Sequence, residues 1–129
     1  MQDFFGGSAD EKEVAARIRS LYEETGYVID THTAVASAVY EAYRRESGDS
    51  TKTVIASTAS PFKFARAVLQ AIQGEVQETD DWTVIELLQK KAGIPIPKAV
   101  TEIRHARVLH RRECDAADMK QEVSDILKL

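Results

Sequence analysis

Several things are scarce in this sequence, and each scarcity narrows the reading. A single cysteine, Cys114, stands among 129 residues. It has no partner for an internal disulfide, so a reducing, cytoplasmic setting is expected. No apolar run approaches the roughly 20 residues that span a bilayer, and the first residues lack the basic-then-apolar layout of a secretory leader. A membrane partner is therefore not expected. Positive charge is in deficit: 17 Lys and Arg against 21 Asp and Glu leave a net −4, which argues against a dedicated nucleic-acid binder. Internal repeats and low-complexity tracts are missing too, and His105, His110 and Cys114 are spaced like no known zinc site, so no metal is expected.

What is present suits one globular unit. Apolar residues make up 43% and charged residues 29%, which is ordinary for a water-soluble domain with a real core. Phe4-Phe5 precede Gly6-Gly7, and two large rings near a terminus are expected to pack on something. From the N-cap Asp10, Val14, Ile18, Leu21 and Tyr22 follow helical spacing until Gly26 closes the run. A helix over about Ala34 to Arg45, rich in alanine, is expected to be mostly buried. Further helices are expected after Pro61, from Asp80-Asp81 to Gly93, from Pro97 through Ile103, and after Asp115. Trp82 belongs to the core in this reading. Arg104, Arg107, Arg111 and Arg112 read as a solvated strand edge.

The organising stretch is Thr53 to Phe64. Val54, Ile55 and Ala56 form an apolar run of the kind found in a strand buried on both faces. Small hydroxylated residues follow, then Ser60 as an N-cap and Pro61 in the first turn of a helix. In open α/β sheets such a corner faces the ligand crevice. Lys63 opposes the helix dipole at a cost of roughly 0.3–1 kcal/mol; it either reaches into solvent or faces a bound anion. Tyr27 to Ile29 and Arg107 to Arg112 are the other candidate strands. Five or six helices with only two or three strands leave the central strand short of neighbours. The expectation is an α/β chain that forms one partial domain, residues 1–129, of a larger molecule.

Two segments carry a family resemblance. Gly26-Tyr27-Val28-Ile29-Asp30-Thr31-His32-Thr33-Ala34-Val35 resembles a Gly-Tyr-x-x-Asp-x-His-Thr-Ala-Val signature, and Thr58-Ala59-Ser60-Pro61-Phe62-Lys63-Phe64 resembles Thr-Ala-x-Pro-x-Lys-Phe. Both belong to the carboxyl-terminal part of threonine synthase, and the acidic tail from Cys114 to Lys120 resembles the helix that closes such chains. The resemblance runs in order along nearly the whole sequence. It implies a carboxyl-terminal fragment of a tryptophan-synthase-β-like, fold-type-II enzyme that uses pyridoxal phosphate to convert O-phospho-L-homoserine and water to L-threonine and phosphate.

By motif position the resemblance assigns Thr58 to the pyridine nitrogen of the cofactor. It places Asp30, His32, Thr33, Ser60 and Lys63 along the active-site lining. The family's Schiff-base lysine and phosphate-cradling loop have no counterpart here, so the chain alone is expected to be inactive, with no catalytic residue of its own. Its partners are then the amino-terminal portion of the same enzyme and a small-molecule substrate, with self-association through an exposed sheet surface when that portion is missing. Two other readings stand beside this one: another fold-type-II lyase or dehydratase, and a non-catalytic α/β interaction module. His32 reads equally as an active-site group and as a helix-start histidine that satisfies backbone groups.

Overall fold

The computed structural model describes residues 4–129, and Met1 to Asp3 lie outside it. Six α-helices follow one another: α1 Glu11–Thr25, α2 Thr31–Ser47, α3 Ala65–Gln73, α4 Asp81–Ala92, α5 Lys98–Arg104 and α6 Met119–Leu127. Short 3-10 turns at Pro61–Phe64 and Ala116–Asp118 lead into α3 and α6. Among the described residues no helix is long and apolar enough to cross a membrane.

The helix ends follow from local chemistry. Asp10 accepts from the Glu13 amide while the Glu13 carboxylate accepts from the Asp10 amide, a reciprocal cap that starts α1. Gly26, at φ 73°, closes α1 in the left-handed region that a side chain disfavours. Asp80 caps α4 through the Thr83 amide and hydroxyl, and Lys90 and Lys91 lie in its last turn, where cations suit the dipole. Pro97 precedes α5 as expected, since its fixed φ suits a helix entry. At the tail, a 3-10 turn rather than a side-chain cap separates Asp115 from α6.

The core lies where α3 packs between α1 and α4. Ile18 of α1, Val68 and Leu69 of α3, and Val84 and Leu88 of α4 are wholly or almost wholly withdrawn from water. Polar side chains lace the same helices. Arg19 donates to the Ala71 carbonyl at 2.8 Å, and the Tyr22 hydroxyl donates to the Lys91 carbonyl at 3.2 Å. Arg17 donates to Ser37 at 2.8 Å, which joins α1 to α2. Arg66 of α3 reaches the Thr79 carbonyl at 3.1 Å and Asp81 at 2.7 Å, and so holds the linker into α4. The Ala71 and Lys91 carbonyls lie in the last turns of α3 and α4, where intrahelical donors are lacking, and Arg19 and Tyr22 supply them.

The expected α/β architecture is overturned, because the described residues form no strand and no sheet. A strand exists only as a member of a ladder, and no backbone hydrogen bonds pair any of the three candidate segments with another. Val54 is 95% exposed and Ile55 only half-buried, so the Thr53–Ile55 run crosses the surface instead of lying within a sheet. Val108 and Leu109 are also exposed. Tyr27 to Ile29 is the short link from α1 to α2, and its Val28 and Ile29 are buried against helices. The exposed apolar surface attributed to a sheet edge is in fact that of α6 and the loops: Met119, Val123, Ile126 and Leu127 all face outward.

Other expectations need smaller adjustments. α2 buries one stripe, Thr33, Ala34 and Ser37, while Ala36 is exposed, so small side chains did not make it a fully buried helix. Trp82 is half-buried with the Arg104 guanidinium 5.5 Å from its ring, a cation over a π face at the edge of the core. Arg104 also pairs with Glu86 of α4 at 2.7 Å, and Arg112, in the loop after α5, pairs with Glu122 of α6, so the basic cluster is partly neutralised by helical carboxylates. Phe5 tilts against Tyr43 at 5.1 Å between ring centroids but remains exposed, as does Phe4.

Leu69→Ala should destabilise the chain by about 2–5 kcal/mol, the cost of a cavity in a closed core. Val54→Ala should change stability by less than about 0.5 kcal/mol, as an exposed position would. Urea unfolding of both variants checks the pair, and a large loss at Val54 would contradict the helical packing.

Candidate functional site

The two signature segments lie far apart in sequence, yet they meet at the start of α2. Asp30 is the N-cap of that helix, and its Oδ1 accepts the amides of His32 at 2.9 Å and Thr33 at 3.3 Å. Those amides have no partner within the helix, so an acidic cap satisfies them and suits the positive end of the dipole. Unlike an ordinary cap, this carboxylate is completely buried. A buried carboxylate needs all its acceptor positions filled. Its Oδ2 takes the Thr33 hydroxyl in a short hydrogen bond and faces Ser57 Oγ at 3.4 Å, while the Thr33 and Ser57 hydroxyls lie 2.9 Å apart.

The electrostatics follow from this geometry. Burial by itself pushes the Asp30 carboxyl up. The Thr33 hydroxyl, the His32 and Thr33 amides and the His32 imidazole together outweigh it and hold the group below the ordinary carboxylate range. His32 Nδ1 stands 3.5 Å from Asp30 Oδ1, with most of its imidazole in solvent. The ring also tilts against Phe64 at 5.1 Å between centroids, a second bond between the signatures. Lys63 is exposed, and its Nζ lies 5.4 Å from the Phe64 ring centroid.

Ser60 starts the turn into α3: its hydroxyl accepts the Phe62 amide at 3.3 Å and its carbonyl accepts the Lys63 amide at 3.0 Å. Phe62 then plugs into the core. Thr58 is exposed, and among the described residues no hydrogen bond engages its hydroxyl. Thus His32, Lys63 and Thr58 are accessible, Ser60 serves the backbone, and Asp30 with Thr33 lies beneath the surface. Ser57 was missed in the sequence, where it stands just before the small turn residues Thr58 to Ser60 and was given no role of its own. Its one distinguishing feature, a hydroxyl within reach of Asp30, is a tertiary contact.

An open, largely apolar cavity of about 830 Å³ runs beside this seam, lined by Val14, Ile18, Thr31, His32, Val35 and Ala71 among others. His32 also borders a second hollow with Val39, Tyr40 and Tyr43. Thr58 lines neither of them.

These features define a helical segment whose buried acidic seam clamps two loops together and leaves their outer side chains free. The chain belongs to the family described as "Threonine synthase, C-terminal", which matches residues 33–126. It is 34% identical over 129 residues to "Threonine synthase-like 1" of Pongo abelii, covering 99% of this chain and 17% of that protein. The human protein of the same name is 34% identical over 119 residues, 92% of this chain and 16% of its own length. The chain therefore spans only about a sixth of the curated relatives it matches.

Because the folded Asp30 carboxyl is more acidic than the unfolded one, it contributes stability above the unfolded pKa, about 3.9. That contribution is lost as pH falls through its lower folded pKa. Comparing wild type with Asp30→Asn by thermal unfolding, the wild-type advantage should hold at neutral pH and shrink steadily below about pH 4. A difference independent of pH would contradict an ionised, buried Asp30. Thr33→Val should cost about 1–3 kcal/mol in denaturant unfolding, since it strips a donor from that carboxylate.

Proposed function

We propose that this chain is the carboxyl-terminal segment of a pyridoxal-phosphate-dependent carbon–oxygen lyase of the threonine synthase kind. The complete enzyme converts O-phospho-L-homoserine and water to L-threonine and phosphate. Family membership supports the lineage. The observation that carries the reading is the corner where the two signatures meet, with an exposed Thr58 whose hydroxyl has no hydrogen-bond partner among the described residues.

That hydroxyl fits one contact of the cofactor, a hydrogen bond to the ring nitrogen, and the remaining contacts belong to the rest of the polypeptide. When bound, the cofactor supplies an electron sink for the substrate's carbon skeleton. In this reading the chain's own residues bind and orient. Thr58 holds the ring nitrogen. Phe62, buried in the core, fixes the corner that carries Thr58. Lys63 projects a cation from the same turn toward an anionic substrate group, and the accessible edge of His32 lines the approach. Asp30 and Thr33 act from beneath the surface. The partner is the amino-terminal portion of the same enzyme, consistent with the fraction of the relatives' length that this chain covers.

The test joins or mixes the chain with the amino-terminal portion of a threonine synthase-like protein, adds pyridoxal phosphate, and follows visible cofactor absorbance and phosphate release from O-phosphohomoserine. The complex should bind cofactor and turn over. Thr58→Ala should lower kcat about tenfold, the rate equivalent of one lost hydrogen bond of about 1.4 kcal/mol. Phosphate release from serine or threonine substrates in place of O-phosphohomoserine is chemically impossible, so ammonia release from those amino acids would identify a dehydratase instead.

A further inference from the structure

Thr58 lies between two fixed points. On one side Ser57 is tied to Thr33 and, beyond it, to the buried Asp30 carboxylate. On the other side Ser60 is tied by its hydroxyl to the Phe62 amide and by its carbonyl to the Lys63 amide, and Phe62 is anchored in the core. Only Thr58 and Ala59 bridge these moorings. The stretch before them is loosely held: Tyr40 donates to the Thr51 carbonyl at 3.4 Å, and Val54 is almost fully exposed. A two-residue bridge pinned at both ends has little freedom, whereas the same residues at the end of a free surface run would have much.

We propose that Asp30 is a positioning residue for Thr58, acting through Ser57. The carboxylate fills two roles at once. Its Oδ1 caps α2, and its Oδ2 organises the two hydroxyls that bring the Thr58 corner onto that helix. Burial strengthens the arrangement, because water cannot compete for the carboxylate and the hydroxyl pair is its remaining source of donors. Ser57 Oγ faces Asp30 while the next residue, Thr58, is exposed, and on the enzyme reading its hydroxyl is the one that meets the ring nitrogen. This rests on the reading of Thr58 as the cofactor contact. It also accounts for why a residue wholly withdrawn from water belongs to the same site as residues that are exposed.

Two measurements test it. In the 129-residue chain, Ser57→Ala should lower the backbone order parameters of residues 57–59 from about 0.85 to below about 0.6. Stability should fall by about 1 kcal/mol while the cap of α2, made by Asp30 Oδ1, is kept, and Ser57→Thr, which keeps a hydroxyl, should restore the order. In the complex with the amino-terminal portion, Ser57→Ala should weaken pyridoxal phosphate binding by about tenfold and alter the cofactor's absorption spectrum, again with rescue by Ser57→Thr. Unchanged order in Ser57→Ala overturns the inference. So does cofactor binding with an unchanged Kd and spectrum. If the wild-type complex binds no cofactor, the enzyme reading fails and the inference fails with it, a result distinct from either of the others.

Discussion

A carboxylate removed from water must find its hydrogen-bond donors inside the protein, and the arrangement of this chain around α2 answers that requirement for Asp30. Two donors are backbone amides that the helix start leaves free, so they come with the helix itself. The others are hydroxyls, one on Thr33 in the first turn of the helix and one on Ser57, twenty-seven residues along from Asp30. Satisfying the charge therefore also folds a distant loop back onto α2. A helix cap and a tertiary clamp are one group of atoms.

The rest of the fold supplies a rigid floor for that clamp. α3 runs between α1 and α4 and contributes Val68 and Leu69 to a closed core, while Phe62 extends the core to the turn that precedes it. The corner at Thr58 is thus fixed at both ends, by polar bonds on one side and by packing on the other. Beyond α4 the character changes. α5 is short, α6 packs chiefly on the turn before it, and the apolar residues of α6 face outward. Exposed apolar surface of this kind is compatible with a segment that accounts for a sixth of its relatives' length.

The helices could be read from the sequence with fair accuracy because their signals are local. Asp10, Asp80 and Ser60 cap as expected, and Gly26 and Gly93 close helices in left-handed geometry. The strands could not. A β-branched run such as Thr53 to Ile55 states a preference for extended backbone, but a strand needs a second extended segment to pair with. No such pairing forms among the described residues, and the run lies on the surface. The alanine-rich face of α2 misled for a related reason, since small apolar residues tolerate exposure as well as burial.

Family membership followed from short motifs whose residue types and order survive without any knowledge of their contacts. So did the helix boundaries, since caps and terminal glycines act within a few residues of where they stand. What only the tertiary structure decided is which side chains are reachable: Asp30 lies buried, His32 and Lys63 flank Phe64, and Ser57 couples the two signatures. The physical reason is range. Backbone hydrogen bonding at a helix end is settled by near neighbours, whereas the burial of a charge and the choice of its partners depend on which distant segments the packed core brings together.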